Sequence, residues 1–278
     1  KAHISFTGKA VTSSAGMALV SRALDAFSIR DQLDGIFRSS DEVKKYPTST
    51  FLQQLVALRI LGGDALSDAA MLDDAAMKAM FGWDGVAHPT TFGRRLKTLT
   101  WHHNLALERI VTGLSQRLTT PGRQFVAIDS TVATVFGQQI EGAERGYNPH
   151  KPGRNSYHPL LAVDVGSRSV VDGYLRPGNC ASNDGLDGFI RKIVAEANLP
   201  GEEIVFRLDK GLTSGGALDT IEALEAGYVG KVKLTSKILG QISRIKNWRS
   251  IGSGCFAANF RCQLDGWSRP RRFVVIER

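Results

Sequence analysis

Two aspartates stand at the ends of short apolar runs. Phe125-Val126-Ala127-Ile128 runs into Asp129, and the stretch from Ile204 to Leu208 runs into Asp209. In open α/β sheets ligands collect at the carboxyl ends of strands. Two carboxylates on neighbouring strand ends, joined by a third from elsewhere, can hold two divalent cations about 4 Å apart, an arrangement that polarises a phosphodiester and activates a water or a 3′-hydroxyl. Hard oxygen donors of this kind suit Mg²⁺ or Mn²⁺. The same residue type also serves as a turn or cap: Ser130 and Thr131 follow the first aspartate and Gly211 lies two beyond the second, so this second role stays open.

The elements that would position the pair follow from periodicity. Residues 14–122 read as helices, with Met17, Leu19, Val20, Leu24 and Phe27 at helical spacing, and Phe51, Leu52, Leu55, Leu58 and Leu61 likewise. Gly62-Gly63 ends one helix, Asp64 and Ser67 are cap candidates for the next, and Thr90-Thr91 after Pro89 opens a segment carrying Arg94, Arg95 and Lys97. Short capped helices with basic residues suit a helix-turn-helix reaching a DNA groove, and they equally suit packing within any α domain. After Pro121-Gly122 the pattern changes to strands. Phe125–Ile128 is followed by a polar stretch from Gly137 to Ser156, a β-rich run from Tyr157 to Val165, and an alternating run from Ser169 to Leu175 that can hairpin back through Gly166-Ser167. Leu186–Ala197 and Ala217–Ala226 read as helices, with strands at Glu203–Leu208 and Tyr228–Leu234. Short strand-like runs continue to Phe273–Ile276.

Composition narrows the function classes. In 278 residues, 42% hydrophobic and 22% charged, there is material for a buried core and no sign of disorder. The longest apolar segments fall well short of the roughly 20 residues that a membrane helix needs. Three cysteines, Cys180, Cys255 and Cys262, form neither a disulfide framework nor a zinc spacing and fit a reducing cytoplasm. The first residue is Lys1, which reads as a fragment boundary, and no export signal follows it. The net charge of +8 is concentrated: residues 229–278 hold eleven Lys/Arg, among them Lys231, Lys233 and Lys237, against Asp265 and Glu277, a local excess of +9. Interleaving with Trp248, Phe256, Phe260 and Trp267 suits a polyanion with stackable bases; a solvated basic face is the plainer alternative.

Several blocks taken in order carry a family resemblance. Val126-Ala127-Ile128-Asp129-Ser130-Thr131 is followed by Gly146-Tyr147-Asn148-Pro149, Gly153-Arg154 and Ser156-Tyr157-His158-Pro159-Leu160-Leu161. Then come Leu175-Arg176-Pro177-Gly178-Asn179 and Arg207-Leu208-Asp209-Lys210-Gly211. Over most of residues 123–215 this resembles the DDE transposases of bacterial insertion sequences, in the branch with a β-strand insertion between the second Asp and the final Glu. The resemblance implies an RNase H-like mixed sheet with flanking helices. An all-α DNA-binding domain (1–122) would precede a core (123–235), and an incomplete, basic β-rich insertion (236–278) would follow it.

On that resemblance Asp129 and Asp209 are the first two catalytic carboxylates, holding Mg²⁺ or Mn²⁺ for strand cleavage and strand transfer. The loop from Gly137 to His158 contacts the transposon end, with Arg145, Lys151 and Arg154 on phosphates and its aromatics on sugars or an unpaired base; the plainer alternative is a long hairpin loop with Tyr157 and His158 as buried anchors, and anchoring is the role expected of His158. Double-stranded DNA, both end repeats and target, is the implied partner, together with a homodimer and a bacterial cytoplasmic, nucleoid-associated location. Two departures stand out. Lys210 follows the second Asp where the family carries a small residue. The final Glu belongs on an amphipathic helix after the insertion, whereas Glu277 ends a β-like run, so the third carboxylate is expected beyond Arg278. A catalytically incomplete DNA-binding remnant is therefore the alternative function, and a nuclease-like core used for protein interaction is a third.

Overall fold

A computed structural model of the chain describes residues 12–38, 46–119, 121–137 and 140–278. The chain divides into two compact units, Lys1–Ile110 and Val111–Arg278.

The first unit is helical, with α1 (Met17–Ala26), α2 (Ile29–Phe37), α3 (Thr48–Ile60), α4 (Ala75–Phe81), α5 (Pro89–Leu96) and the start of α6 (Trp101–Leu118). Its boundaries follow local chemistry. Pro47 precedes α3, and Gly62, at φ +87°, turns the chain out of it while Gly63 N–H donates to the Leu58 carbonyl. Asp68, rather than Asp64 or Ser67, organises the following turn, since its carboxylate accepts from the N–H groups of Asp64 and Ala65. Asp74 caps α4 by accepting from Ala76 N–H at 2.6 Å, and Gly82 ends it in the left-handed conformation. His88 Nδ1 accepts from Thr90 N–H with Pro89 at the first helical position of α5. Leu58, Leu72, Met77, Phe81 and Trp83 form one buried cluster, and Phe51, Ala69, Ala87 and Phe92 another.

The second unit is built on a five-stranded mixed sheet of order β6-β5-β1-β7-β8, from β1 (Gln124–Ser130), β5 (Leu160–Asp164), β6 (Val170–Tyr174), β7 (Ile204–Leu208) and β8 (Gly227–Gly230). β5 pairs antiparallel with both β1 and β6, whereas β7 pairs parallel with both β1 and β8. Parallel pairing needs crossovers, and α7 (Leu186–Glu196) and α8 (Gly215–Ala223) supply them. The fold is mixed α/β of the RNase H-like kind. At the β5–β6 hairpin the buried Asp164 accepts from both the N–H and the hydroxyl of Ser167, with Arg168 at φ +60°.

The sheet is two-faced. Val126 and Ile128 of β1, with Ile204, Phe206 and Leu208 of β7, are buried beneath Phe189 and Ile190 of α7 and Leu218 and Ile221 of α8. The alternate residues Phe125, Leu161 and Val229 remain exposed on the other face. Between β1 and β5 the chain makes a small sheet of order β2-β4-β3 from β2 (Ala133–Thr134), β3 (Glu144–Arg145) and β4 (Asn155–Tyr157). It is clamped by two glycines: a Cβ on Gly146 would lie 1.8 Å from the Gly178 carbonyl oxygen, and one on Gly178 would lie 2.4 Å from the Glu144 carbonyl oxygen.

After α9 (Ser236–Ile242), strands β9 (Arg249–Gly252), β10 (Cys255–Cys262) and β11 (Arg271–Glu277) form a third sheet of order β11-β10-β9. Arg271, only 3% exposed, fastens it to α8. Its Nε and Nη2 donate to Glu222 at 2.8 and 3.0 Å, Nη2 also donates to Asp219 at 2.6 Å, and the guanidinium lies 5.1 Å from the Trp267 ring centroid. Arg271 lowers the Glu222 carboxyl below its ordinary range, and the Ser268 hydroxyl followed by Arg271 does the same for Asp219. Burial, then the hydrogen bond to Glu222, pushes the Tyr228 phenol up to about 12.

Candidate active site

Strand register brings the two aspartates together. Ile128 on β1 pairs with Leu208, the last residue of β7, so Asp129 and Asp209, the first residue beyond β7, follow paired residues of adjacent parallel strands, which lie about 4.8 Å apart. Ile128 and Leu208 point into the core. Period-two alternation therefore puts the Asp129 carboxylate on the opposite, solvent-facing side, and Asp209, just beyond β7, is exposed as well. The apolar runs that precede them are the buried halves of these strands, which is why each run stops where the polar residue begins.

Each carboxylate is oriented by local backbone and keeps an oxygen outward. Asp129 Oδ1 accepts from Ser130 N–H at 2.8 Å. Asp209 Oδ1 accepts from Gly211 and Leu212 N–H at 2.9 and 3.1 Å, and its carbonyl accepts from the Thr213 hydroxyl. The turn role and the ligand role thus coexist, because the turn uses one oxygen and leaves Oδ2. Among the described residues no ion pair engages either aspartate, and no group of three or more His, Cys, Asp or Glu converges to hold a metal. Two unclaimed hard-oxygen donors at neighbouring strand ends fit part of a Mg²⁺ or Mn²⁺ site.

Lys231 joins this row. Leu208 pairs with Gly230 on β8, and Lys231 N–H donates to the Leu208 carbonyl at 3.1 Å. The exposed Lys231 is therefore the register neighbour of Asp209, one strand further from Asp129. Lys210 is exposed on the Asp209 turn.

Behind the loop that flanks the Asp209 turn lies Arg176, to which no motif in the sequence gives a role. Arg176 is fully buried. Its Nε donates to the His158 carbonyl, and its Nη1 to the carbonyls of Ala181, Ser182 and Asp184. The loop it holds lies against the Asp209 turn, where a Cβ on Gly211 would be 3.6 Å from Ser182 Oγ and 3.4 Å from Asp209 Oδ1. An arginine opening a Pro-Gly turn directly after a strand was the available hint.

The other candidates separate by environment. Arg145, Lys151 and Arg154 are exposed on the β2–β4 excursion, where Asn148 Oδ1 accepts from His150 and Lys151 N–H. His158 is buried with Nδ1 3.1 Å from the Cys180 carbonyl oxygen, and the Tyr157 hydroxyl donates to the Glu141 carbonyl; both anchor the loop. On α5, Arg94 is exposed and Lys97 follows the helix, also exposed. Arg95 turns inward, donating to the Tyr46 carbonyl at 3.0 Å with its guanidinium 5.2 Å from the Phe51 ring centroid. Lys233 is exposed, and Lys237 lies 3.3 Å from the fully exposed Asp265. Phe260 and Trp267 each stack on Phe273 rather than standing free. Glu277 closes β11 opposite Phe256, in the third sheet.

Among the described residues no helix is long and apolar enough to cross a membrane. No curated protein matches the sequence. Among solved structures the chain is similar to a piggyBac transposase synaptic complex with hairpin DNA, at 11% identity over 99% of this chain and 54% of that one, TM-score 0.42. A Mos1 transposase paired-end complex with the left transposon end matches at 11% identity over 68% of this chain and 59% of that one, TM-score 0.27. A pre-cleavage Mos1 transpososome matches at 12% identity, 80% and 79% coverage, and TM-score 0.28. The chain thus spans little more than half the length of the first two. Residues 1–277 match the family model described as transposase DDE domain group 1; the chain belongs to that family, whose members generally use divalent metal ions.

Proposed function

We propose that this chain carries the first two metal-binding carboxylates of a DNA transposase that cleaves and transfers the strands of an insertion sequence. The observation that carries this reading is the adjacency of Asp129 and Asp209 at neighbouring strand ends, each with a free carboxylate oxygen. A divalent cation bound there would stabilise the attacking and leaving oxygens of an in-line displacement at phosphorus.

The chain's own residues do the rest. Ser130 N–H fixes the Asp129 rotamer, and the Gly211 and Leu212 N–H groups fix that of Asp209, so little reorganisation precedes ion binding. Lys231, next in register to Asp209, offsets phosphate charge beside the reacting group. Arg145, Lys151 and Arg154 contact the transposon-end backbone, and Arg94 and Lys97 contact duplex DNA from the helical unit. A third carboxylate from outside the described site completes the donor set. Working as a homodimer on paired ends, at the nucleoid of a bacterial cytoplasm, belongs to the same proposal.

The test is nicking of supercoiled plasmid in Mg²⁺. Wild-type protein relaxes the plasmid, EDTA stops it, and Asp129→Asn and Asp209→Asn each lower the rate by at least about 10³-fold while DNA binding persists. Equal nicking by the two variants and wild type would refute the reading. Binding without nicking by the wild-type chain would favour the alternative of a catalytically incomplete DNA-binding remnant.

A further inference from the structure

The cations of the third sheet have two different fates, decided by the pleat. Arg271 faces α8 and is consumed by Asp219 and Glu222. Its neighbour Arg272 points the other way and sits directly opposite Arg261 in the β10–β11 register. Both are exposed, and among the described residues no ion pair involves either. Like charges directly opposed across an antiparallel pair repel one another and destabilise the sheet. The arrangement is relieved when an anion lies between them.

The rest of that outer face supports an extended anion. Arg249 registers with Ala257 on the same side, four residues and therefore about 14 Å along β10 from Arg261. Asn259 with Val274, and Ala257 with Ile276, lie between. The face carries no acidic side chain, because Glu277 pairs with Phe256 on the inner side. It carries no aromatic ring either: Phe260, Phe273 and Trp267 stack together on the inner side. A surface without a stacking platform suits the regular charge of a duplex backbone rather than unpaired bases.

We infer that the outer face of β9–β11 binds the phosphate backbone of duplex DNA through Arg249, Arg261 and Arg272, without reading sequence. This rests on the DNA-transposase reading and adds a surface distinct from the aspartate site.

Fluorescence anisotropy of the full chain with a labelled duplex of arbitrary sequence, between about 50 and 200 mM salt, tests it. Each lost phosphate contact lowers the slope of log K against log salt by about 0.9. The double variant R261A/R272A therefore loses about 1.8 in slope, so its affinity falls roughly 12-fold less than wild type across that fourfold range. Its Tm stays level or rises, since a repulsion is removed, and R261K/R272K keeps the wild-type slope. An unchanged slope in R261A/R272A overturns the proposal, as does a Tm that falls together with binding. Weakened binding of labelled polyglutamate with an unchanged duplex slope would assign the face to an acidic protein and also overturn it. Nicking by the Asp129→Asn and Asp209→Asn variants is scored separately, so failure of the metal-site reading is distinguishable from failure of this one.

Discussion

Replacing Arg271 by alanine removes the clamp between α8 and the third sheet, and its cost can be worked out bond by bond. Three charge-assisted hydrogen bonds disappear, two to Glu222 and one to Asp219. Removing one member of a fully buried ion pair costs about 3–5 kcal/mol because it strands the other charge. That is an upper bound here. Glu222 keeps Arg269 at 2.5 Å and the Tyr228 hydroxyl, and Asp219, 41% exposed, keeps Ser268. Solvent screening discounts the Asp219 bond, whereas the two bonds to Glu222 at about 1 kcal/mol each and the Trp267 stacking at about 0.5–1 kcal/mol survive.

The expected loss is about 3 kcal/mol, and it is local. Hydrogen exchange should lose protection in β10 and β11 while β1 and β7, buried under α7, keep theirs. The pH dependence carries a second signature. Glu222 and Asp219 titrate below their ordinary values of 4.5 and 3.8 when folded, so their contribution is complete above about pH 4.5 and drains as pH falls through the folded values. Arg271→Ala flattens that acid limb. A loss under about 1 kcal/mol, an unaltered acid limb, or equal deprotection of β1 and β7 would refute the clamp.

Two further outcomes follow from the packing. Gly146→Ala forces a methyl against the Gly178 carbonyl, where backbone cannot give way; a loss of about 1–3 kcal/mol and faster proteolysis within 137–158 are expected, read by denaturation and limited digestion. Arg94→Ala should weaken duplex binding with stability held within about 0.5 kcal/mol. Arg95→Ala, by contrast, should lower the stability of the helical unit by about 1–2 kcal/mol through its lost bond to Tyr46 and its stack on Phe51.

What could be read from the sequence divides along the same physical lines. The two strands that lead to Asp129 and Asp209 were legible because burial imposes a period of two and stops where the chain meets solvent. The alternation of Ser169–Leu175 and the glycines after Leu61 gave the hairpin and the end of α3 for similar local reasons. The fates of the arginines were not legible. Arg94 and Arg95 differ by one helical step, and the carbonyl that claims Arg95 belongs to Tyr46, 49 residues away. Arg271 and Arg272 differ by one pleat, and only the docking of β11 on α8 shows which is spent. The aromatics among the C-terminal cations looked available for bases, yet register pairs Phe260 with Phe273 on the inner face. Arg176 escaped because its four carbonyl partners come from loops that periodicity does not describe.

The most direct measurement is Mn²⁺ binding by electron paramagnetic resonance, with wild type, Asp129→Asn and Asp209→Asn compared in the presence of duplex DNA. If the two strand-end carboxylates share an ion, wild type binds Mn²⁺ with an affinity that each single substitution lowers by at least about tenfold, roughly 1.4 kcal/mol, and the double variant is little worse than either single one. Wild-type affinity in both single variants, or two independent losses that simply add, would contradict the claim that Asp129 and Asp209 form one metal site.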